Sequence, residues 1–176
     1  AAGAVINIGS VPTGAGFDLT LRSRTGATTV AGAVGSVSAV GTLTLHDANL
    51  NSTGLMRFNG NLAVGTLTTV GAPAGYSVQL RGAATTVTVD TTFANTGSVM
   101  LGYGAADVLT FTGGLDTTAA AGGTSDGGSV RTAGQQIDLG VVTLGADSVV
   151  DSSNNGGSAA GAVINIGSVP TGAGFD

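Results

Sequence analysis

The 176 residues carry five Arg, ten Asp, one His and neither Lys nor Glu, for a net charge of −5. Charged residues make up 9% of the chain against about 25% in an ordinary soluble domain, and an acidic chain without Lys has no basic stripe to displace counterions, which argues against nucleic acid as a partner. At 42% hydrophobic the chain is too apolar for disorder, and no apolar run reaches the 18 or so residues of a membrane-spanning helix.

Thirty-two Gly and no Cys accompany a palette of Val, Thr, Leu, Ala and Ser, the residues of pleated strands and tight turns. Neither a disulfide framework nor a Cys-ligated metal holds such a chain. In chain order, alternating runs predict strands in AVINIGSV from Ala4, DLTLRSR from Asp18, TLTLHDANL from Thr42 and YSVQLRG from Tyr76. TTVTVD from Thr85, SVMLGYG from Ser98, DVLTFTGG from Asp107 and QIDLGVVTL from Gln136 follow. Period-2 alternation marks strands with one buried face: Leu43 and Leu45 share a side while the threonines take the other. AAAGGTSDGG (119–128) and SSNNGGSAAG (152–161) read as loops.

Residues Ala1–Asp18 recur without a substitution as Ala159–Asp176, an offset of 158. A fixed period changes the fold reading: residues 1–158 are one complete repeat unit and 159–176 the start of the next. Strand anchors fall near Leu19, Leu43, Val78, Val99, Val130 and Val163. Their uneven spacing excludes a short-period repeat and suits coils of about 20 to 30 residues, roughly six to eight per unit. The seam SNNGGSAAGAVINIGSV lacks the polar or Pro-rich linker of separate domains. The fold expected is all-β, a parallel β-helix (β-solenoid).

DLTLRSRTGATTVAGAVGSVSAVGTLTLHDANLNSTG and TAGQQIDLGVVTLGADSVVDSSNNGGSAAGAVINIGSV resemble the repetitive stalks of giant bacterial surface exoproteins, the filamentous-haemagglutinin-like adhesins. The resemblance covers nearly the whole chain. It implies a right-handed coil, export to the cell surface, and a role in adhesion, biofilm or a fibrous coat. Any export signal is expected to lie outside this sequence, since residues 1–18 have no basic leader.

Candidate chemistry is sparse. His46 and Asp47 adjoin like half of a nucleophile-activating pair, but no spacing selects a serine, so His46 reads as a turn or an outward imidazole. Glycoside cleavage needs two carboxyls about 5 to 9.5 Å apart, whereas Asp18, Asp90, Asp107, Asp126, Asp147 and Asp151 fall at strand starts and turns. LGYGAADVLTFTGG (101–114) resembles the calcium-binding G-G-x-G-x-D-x-U-x nonapeptide. It is a single copy with Gly104 and Asp107 out of register, so Asp107 is a weak calcium candidate short of the six to eight oxygens required. Arg22 and Arg24 alternate onto one face that suits an Asp or an anionic glycan, but as an exposed pair they read as a solvated edge. Asn49, Asn51, Asn154 and Asn155 are candidates for stacked amide ladders.

The reading is a structural protein without catalytic residues or cofactor: a stalk or fibre repeat that stacks end to end on further copies, with a surface glycan or receptor as a possible partner. The alternatives are a tandem immunoglobulin-like β-sandwich that binds a glycan or receptor and a β-helical polysaccharide-degrading enzyme.

Overall fold

The computed structural model describes residues 3–46, 53–71, 75–158 and 160–170. Every strand pairing among them is parallel, which rules out the antiparallel β-sandwich. Among the described residues seventeen strands wind into seven stacked coils, and each coil lays one strand segment on each of three faces. The chain is a β-solenoid.

The first face stacks β1 (Ile6–Ile8), β4 (Thr28–Val30), β7 (Leu55–Phe58), β9 (Ser77–Leu80), β12 (Val99–Leu101), the start of β15 (Thr124–Arg131) and the middle of β16 (Ile137–Asp151). Its inward column reads Ile6, Thr28, Met56, Val78, Val99, Thr124, Val142, so coils lengthen to 28 residues between Thr28 and Met56 and shorten to 18 between Thr124 and Val142.

The second face stacks β2 (Val11–Thr13), β5 (Val34–Ser38), the first half of β8 (Leu62–Thr69), β10 (Ala84–Val87), β13 (Val108–Phe111) and the ends of β15 and β16. The third stacks β3 (Leu19–Leu21), β6 (Val40–Leu45), the second half of β8, β11 (Thr91–Thr92), β14 (Leu115–Asp116), the start of β16 and β17 (Ile164–Ser168). Between β8 and β11 the ladder breaks, and the Thr69 side chain bridges it: its hydroxyl donates to the Thr92 carbonyl at 3.2 Å and accepts the Ala94 N–H at 2.7 Å.

Alternation puts the leucines inside. Leu19, Leu43 and Leu67 stand in register on successive coils, as do Leu21 and Leu45, while Thr20, Thr44 and Thr68 form the outward column. One continuous core runs from Leu21 to Val142, with a few buried polar side chains such as Thr117, Thr124 and Asp126 set into it. Glycines occupy the corners because coils approach there backbone to backbone: a Cβ on Gly54 would sit 1.9 Å from the Gly26 carbonyl oxygen.

Three expectations need revision. Residues 119–128 are not all loop, since β15 begins at Thr124, whose hydroxyl pairs with that of Thr117 at 2.8 Å inside the coil. Of the anchor steps, Leu19 to Leu43 and Val78 to Val99 are true one-coil registers. The step from Leu43 to Val78 passes from the third face to the first, which made the coil look irregular. Asn154 and Asn155 adopt left-handed conformations with φ of 55° and 58°, a tight turn rather than a ladder. Asn49 and Asn51 lie outside the described residues.

Candidate functional site

The features singled out in the sequence are spread over the rod. His46 follows β6 with φ of 59° and is buried, not outward: its ring lies 4.2 Å from that of Tyr76 and its backbone N–H donates to the Leu21 carbonyl at 2.8 Å. Residue 47 lies outside the described residues. A buried imidazole against a tyrosine ring belongs to the packing of that corner. Arg22 and Arg24 are exposed on either side of buried Ser23.

Asp107 closes a turn. One of its carboxylate oxygens accepts the backbone N–H of Tyr103 at 2.7 Å and of Gly104 at 3.0 Å, reaching back over the turn, whereas the forward Asx bond expected at turns is made by Asp116 to Thr118 and by Asp151 to Ser153. Among the described residues no three His, Cys, Asp or Glu side chains group to hold a metal ion.

The coil does assemble one site that the sequence reading treated as scattered residues. Asp90, Asp116 and Asp138 sit on successive coils at the corner leading into the third face, with Asp116 and Asp138 in direct register. With Gln135, Gln136 and the Gly113–Gly114 backbone they line a polar groove of about 290 Å³. Gly114 has φ of 126°, and a side chain there would meet the Asp90 carboxylate at 2.7 Å. The signal was available in spacing: 22 residues from Asp116 to Asp138 is one coil.

The carboxylates of this groove are committed locally. An Asp116 oxygen accepts the N–H and hydroxyl of Thr118 at 2.8 and 2.7 Å. Asp138 accepts Asn165 at 2.7 Å and Gln136 at 3.0 and 2.8 Å, and these bonds, Asn165 foremost, hold its carboxyl below the usual range. Retaining glycosidase chemistry pairs an ionised carboxylate with a carboxyl kept protonated near neutrality. The carboxyl that is pushed up, Asp126, to about 7 by burial, points into the core on the first face and does not line the groove.

The remaining surface pairs are rungs between coils. Arg57 donates to Gln79 at 2.9 Å, the hydroxyls of Ser98 and Ser77 meet at 3.0 Å, and the Arg81 guanidinium lies 4.0 Å over the Tyr103 ring. Apolar residues are exposed at both ends of the stack, Val163, Ile164, Ile166 and Val169 around the last strand at 38 to 60% and Val5 and Phe17 in the first coil, and also along its sides at Val37, Val89 and Tyr103. Comparison with family models, curated proteins and solved structures gives no match.

Proposed function

We propose that this chain is a structural repeat of an extracellular fibre or adhesin stalk on a bacterial surface, stacking end to end into a long rod. One observation carries the reading. The second copy of the repeated segment docks as β17 directly on β16, Ile164 on Ile137 and Ile166 on Leu139, so the repeat boundary falls inside the sheet rather than in a linker. A boundary of that kind lets the core continue from unit to unit. The apolar residues left open at both ends are the surface such continuation covers.

Composition supports the placement outside the cell through the resemblance to exoprotein stalks, and the groove chemistry supports a non-catalytic role. The paired backbone along the sides leaves strand edges only at the ends, where a further coil adds its hydrogen bonds. Cryo-electron microscopy of an array of several units tests the reading. A continuous thin rod with strand spacing near 4.8 Å along its axis is expected, and deleting units shortens it in proportion. Beads on flexible joints overturn it, and loss of a specific ligand at unchanged length favours a binding module.

A further inference from the structure

The two copies of the repeated segment do not occupy equivalent places. Ile6 and Ile8 of the first copy lie on the first face, in register with Thr28 and Val30. Ile164 and Ile166, the same residues 158 positions later, lie on the third face, in register with Ile137 and Leu139. In both copies the isoleucines point toward the core column and the asparagine between them points out, so strand parity is kept while the face changes.

The corner glycines move with the strand. Gly3 packs against the turn at Ser23 and Gly26, between the third and first faces, whereas its counterpart Gly161 lies beside Ser152 at the corner between the second and third. Gly9 underlies Gly32 after the first face, whereas Gly167 lies over Gly140 after the third. The glycine that ends INIG is closely approached only in the second copy: a Cβ on Gly167 would fall 3.0 Å from the Gly140 carbonyl oxygen, whereas one on Gly9 would meet nothing within 4 Å and the glycine needed there is Gly32 above it, 2.6 Å from the Gly9 carbonyl oxygen.

Counting faces along the chain gives the size of the mismatch. Ile6 is on the first face of the first coil and Ile164 on the third face of the seventh, so one 158-residue unit is two-thirds of a coil beyond six complete coils. We infer that successive units in an array are turned by one face, a third of a coil, and that the unit rather than the coil generates a threefold screw. The inference rests on the tandem stalk reading above. At about 4.8 Å per coil a unit rises roughly 32 Å, and three units, twenty coils, return to phase after roughly 96 Å.

The consequence is an interaction surface of defined symmetry. A feature that occurs once per unit, such as the groove of Asp90, Asp116 and Asp138, would lie on one side of a rod if units were in phase. With the one-face step it faces all three sides in turn.

The chain itself allows a direct test because it has no cysteine. Asn165 is exposed opposite Asp138 on the third face, and in an in-phase arrangement it would stand over exposed Thr143 on the first. In the 176-residue chain, Asp138→Cys with Asn165→Cys is compared with Thr143→Cys with Asn165→Cys, using a short bifunctional thiol reagent. The first pair is expected to link with roughly tenfold greater yield, since adjacent strands are about 4.8 Å apart and separate faces are not in reach. Equal yields, a preference for the second pair, or linkage of neither overturns the inference.

A second measurement separates its failure from that of the stalk reading. In an array of three or more units, a continuous rod with an axial period of roughly 96 Å is expected. A continuous rod that repeats at about 34 Å without the longer period overturns the one-face step and leaves the stalk. Beads on flexible joints overturn the stalk.

Discussion

The middle coils and the last two coils solve the same packing problem with different materials. Phe58, Tyr76, Phe93 and Phe111, the largest fully buried side chains, all fall in the third to fifth coils, and Phe93 meets Phe111 edge to face with centroids 6.3 Å apart. In the sixth and seventh the core narrows to Val130, Ile137, Leu139 and Val142, and the inward position between Leu101 and Leu144 is held by Asp126. A solenoid adds nearest-neighbour interfaces rather than sharing one global core, so this difference makes stability uneven along the axis. Amide exchange is expected to protect β9, β10 and β13 more than β16 and β17, because opening from the open end breaks fewer large contacts.

The sharpest way to break the contrast is Phe111→Ala. Emptying a fully buried aromatic site costs about 3 to 5 kcal/mol. In urea unfolding the change is expected to lower the main transition, whereas Val130→Ala one coil above on the same face removes less volume and costs less. Equal losses at the two sites would show that the coils unfold as one unit.

Asp126 tests the weaker end through pH. Neither carboxylate oxygen meets a donor at hydrogen-bonding distance and angle, and burial, offset only in part by the Gly127 amide, pushes the carboxyl from 3.8 to about 7. The folded state therefore holds a proton that the unfolded chain releases. Below about pH 3.8 both states are protonated and the group adds no pH dependence; between there and about pH 7 stability falls as pH rises; above it the penalty is complete, on the order of 4 kcal/mol at about 1.36 kcal/mol per pH unit. Asp126→Asn is expected to flatten this fall, with its stabilisation over the parent chain growing from pH 4 to pH 8 in urea melts. A variant that is no more stable than the parent at pH 8 refutes the assignment.

How much of this was legible varies with what each signal records. Alternation in LTL, TLTL and SVQL recovers strands because it reports a single buried face, and the 24 residues from Leu19 to Leu43 are a true coil. The three faces were not legible, because LTL, TTV and VML look alike whichever face they occupy; the repeated INI, on two faces in one chain, is the extreme case. Strands β4 and β7 are not legible because TTV places a threonine at a buried position and LMRF opens with an apolar residue outside the buried pair Met56 and Phe58, so neither alternates apolar with polar. Asp126 lies in TSDGGS, a composition that reads as turn, and only the register with Leu101 and Leu144 reveals it as a core position. The acidic groove needed the coil length first, after which the 22-residue step from Asp116 to Asp138 becomes a stacking signal.

Tyr76 joins the two kinds of packing, since its ring covers His46 while its hydroxyl donates to the carbonyls of Leu45 and Val70 at 3.2 and 3.1 Å. Burial pushes that hydroxyl up to about 12, so it stays a donor through the alkaline range. Tyr76→Phe keeps the ring and is expected to cost about 1 kcal/mol in urea unfolding, the net worth of a buried hydrogen bond. A loss as large as that of Phe111→Ala would mean that the polar tip, not the ring, organises the corner.

The smallest effect belongs to the outside of the rod. Arg81 follows β9 in the coil below Tyr103, and its guanidinium covers the face of a ring that is itself 63% exposed. A cation over a solvent-exposed aromatic ring contributes about 0.5 to 1 kcal/mol, and the pairing bridges one coil to the next. Arg81→Ala is therefore expected to shift the urea midpoint slightly, while Tyr103→Leu removes the same attraction and leaves an apolar cover. In a double-mutant cycle the coupling between the two should stay below about 1 kcal/mol. A larger coupling would move stability from the interior to the rungs, and the contrast between middle and end coils would then have to be rebuilt from their surface pairs.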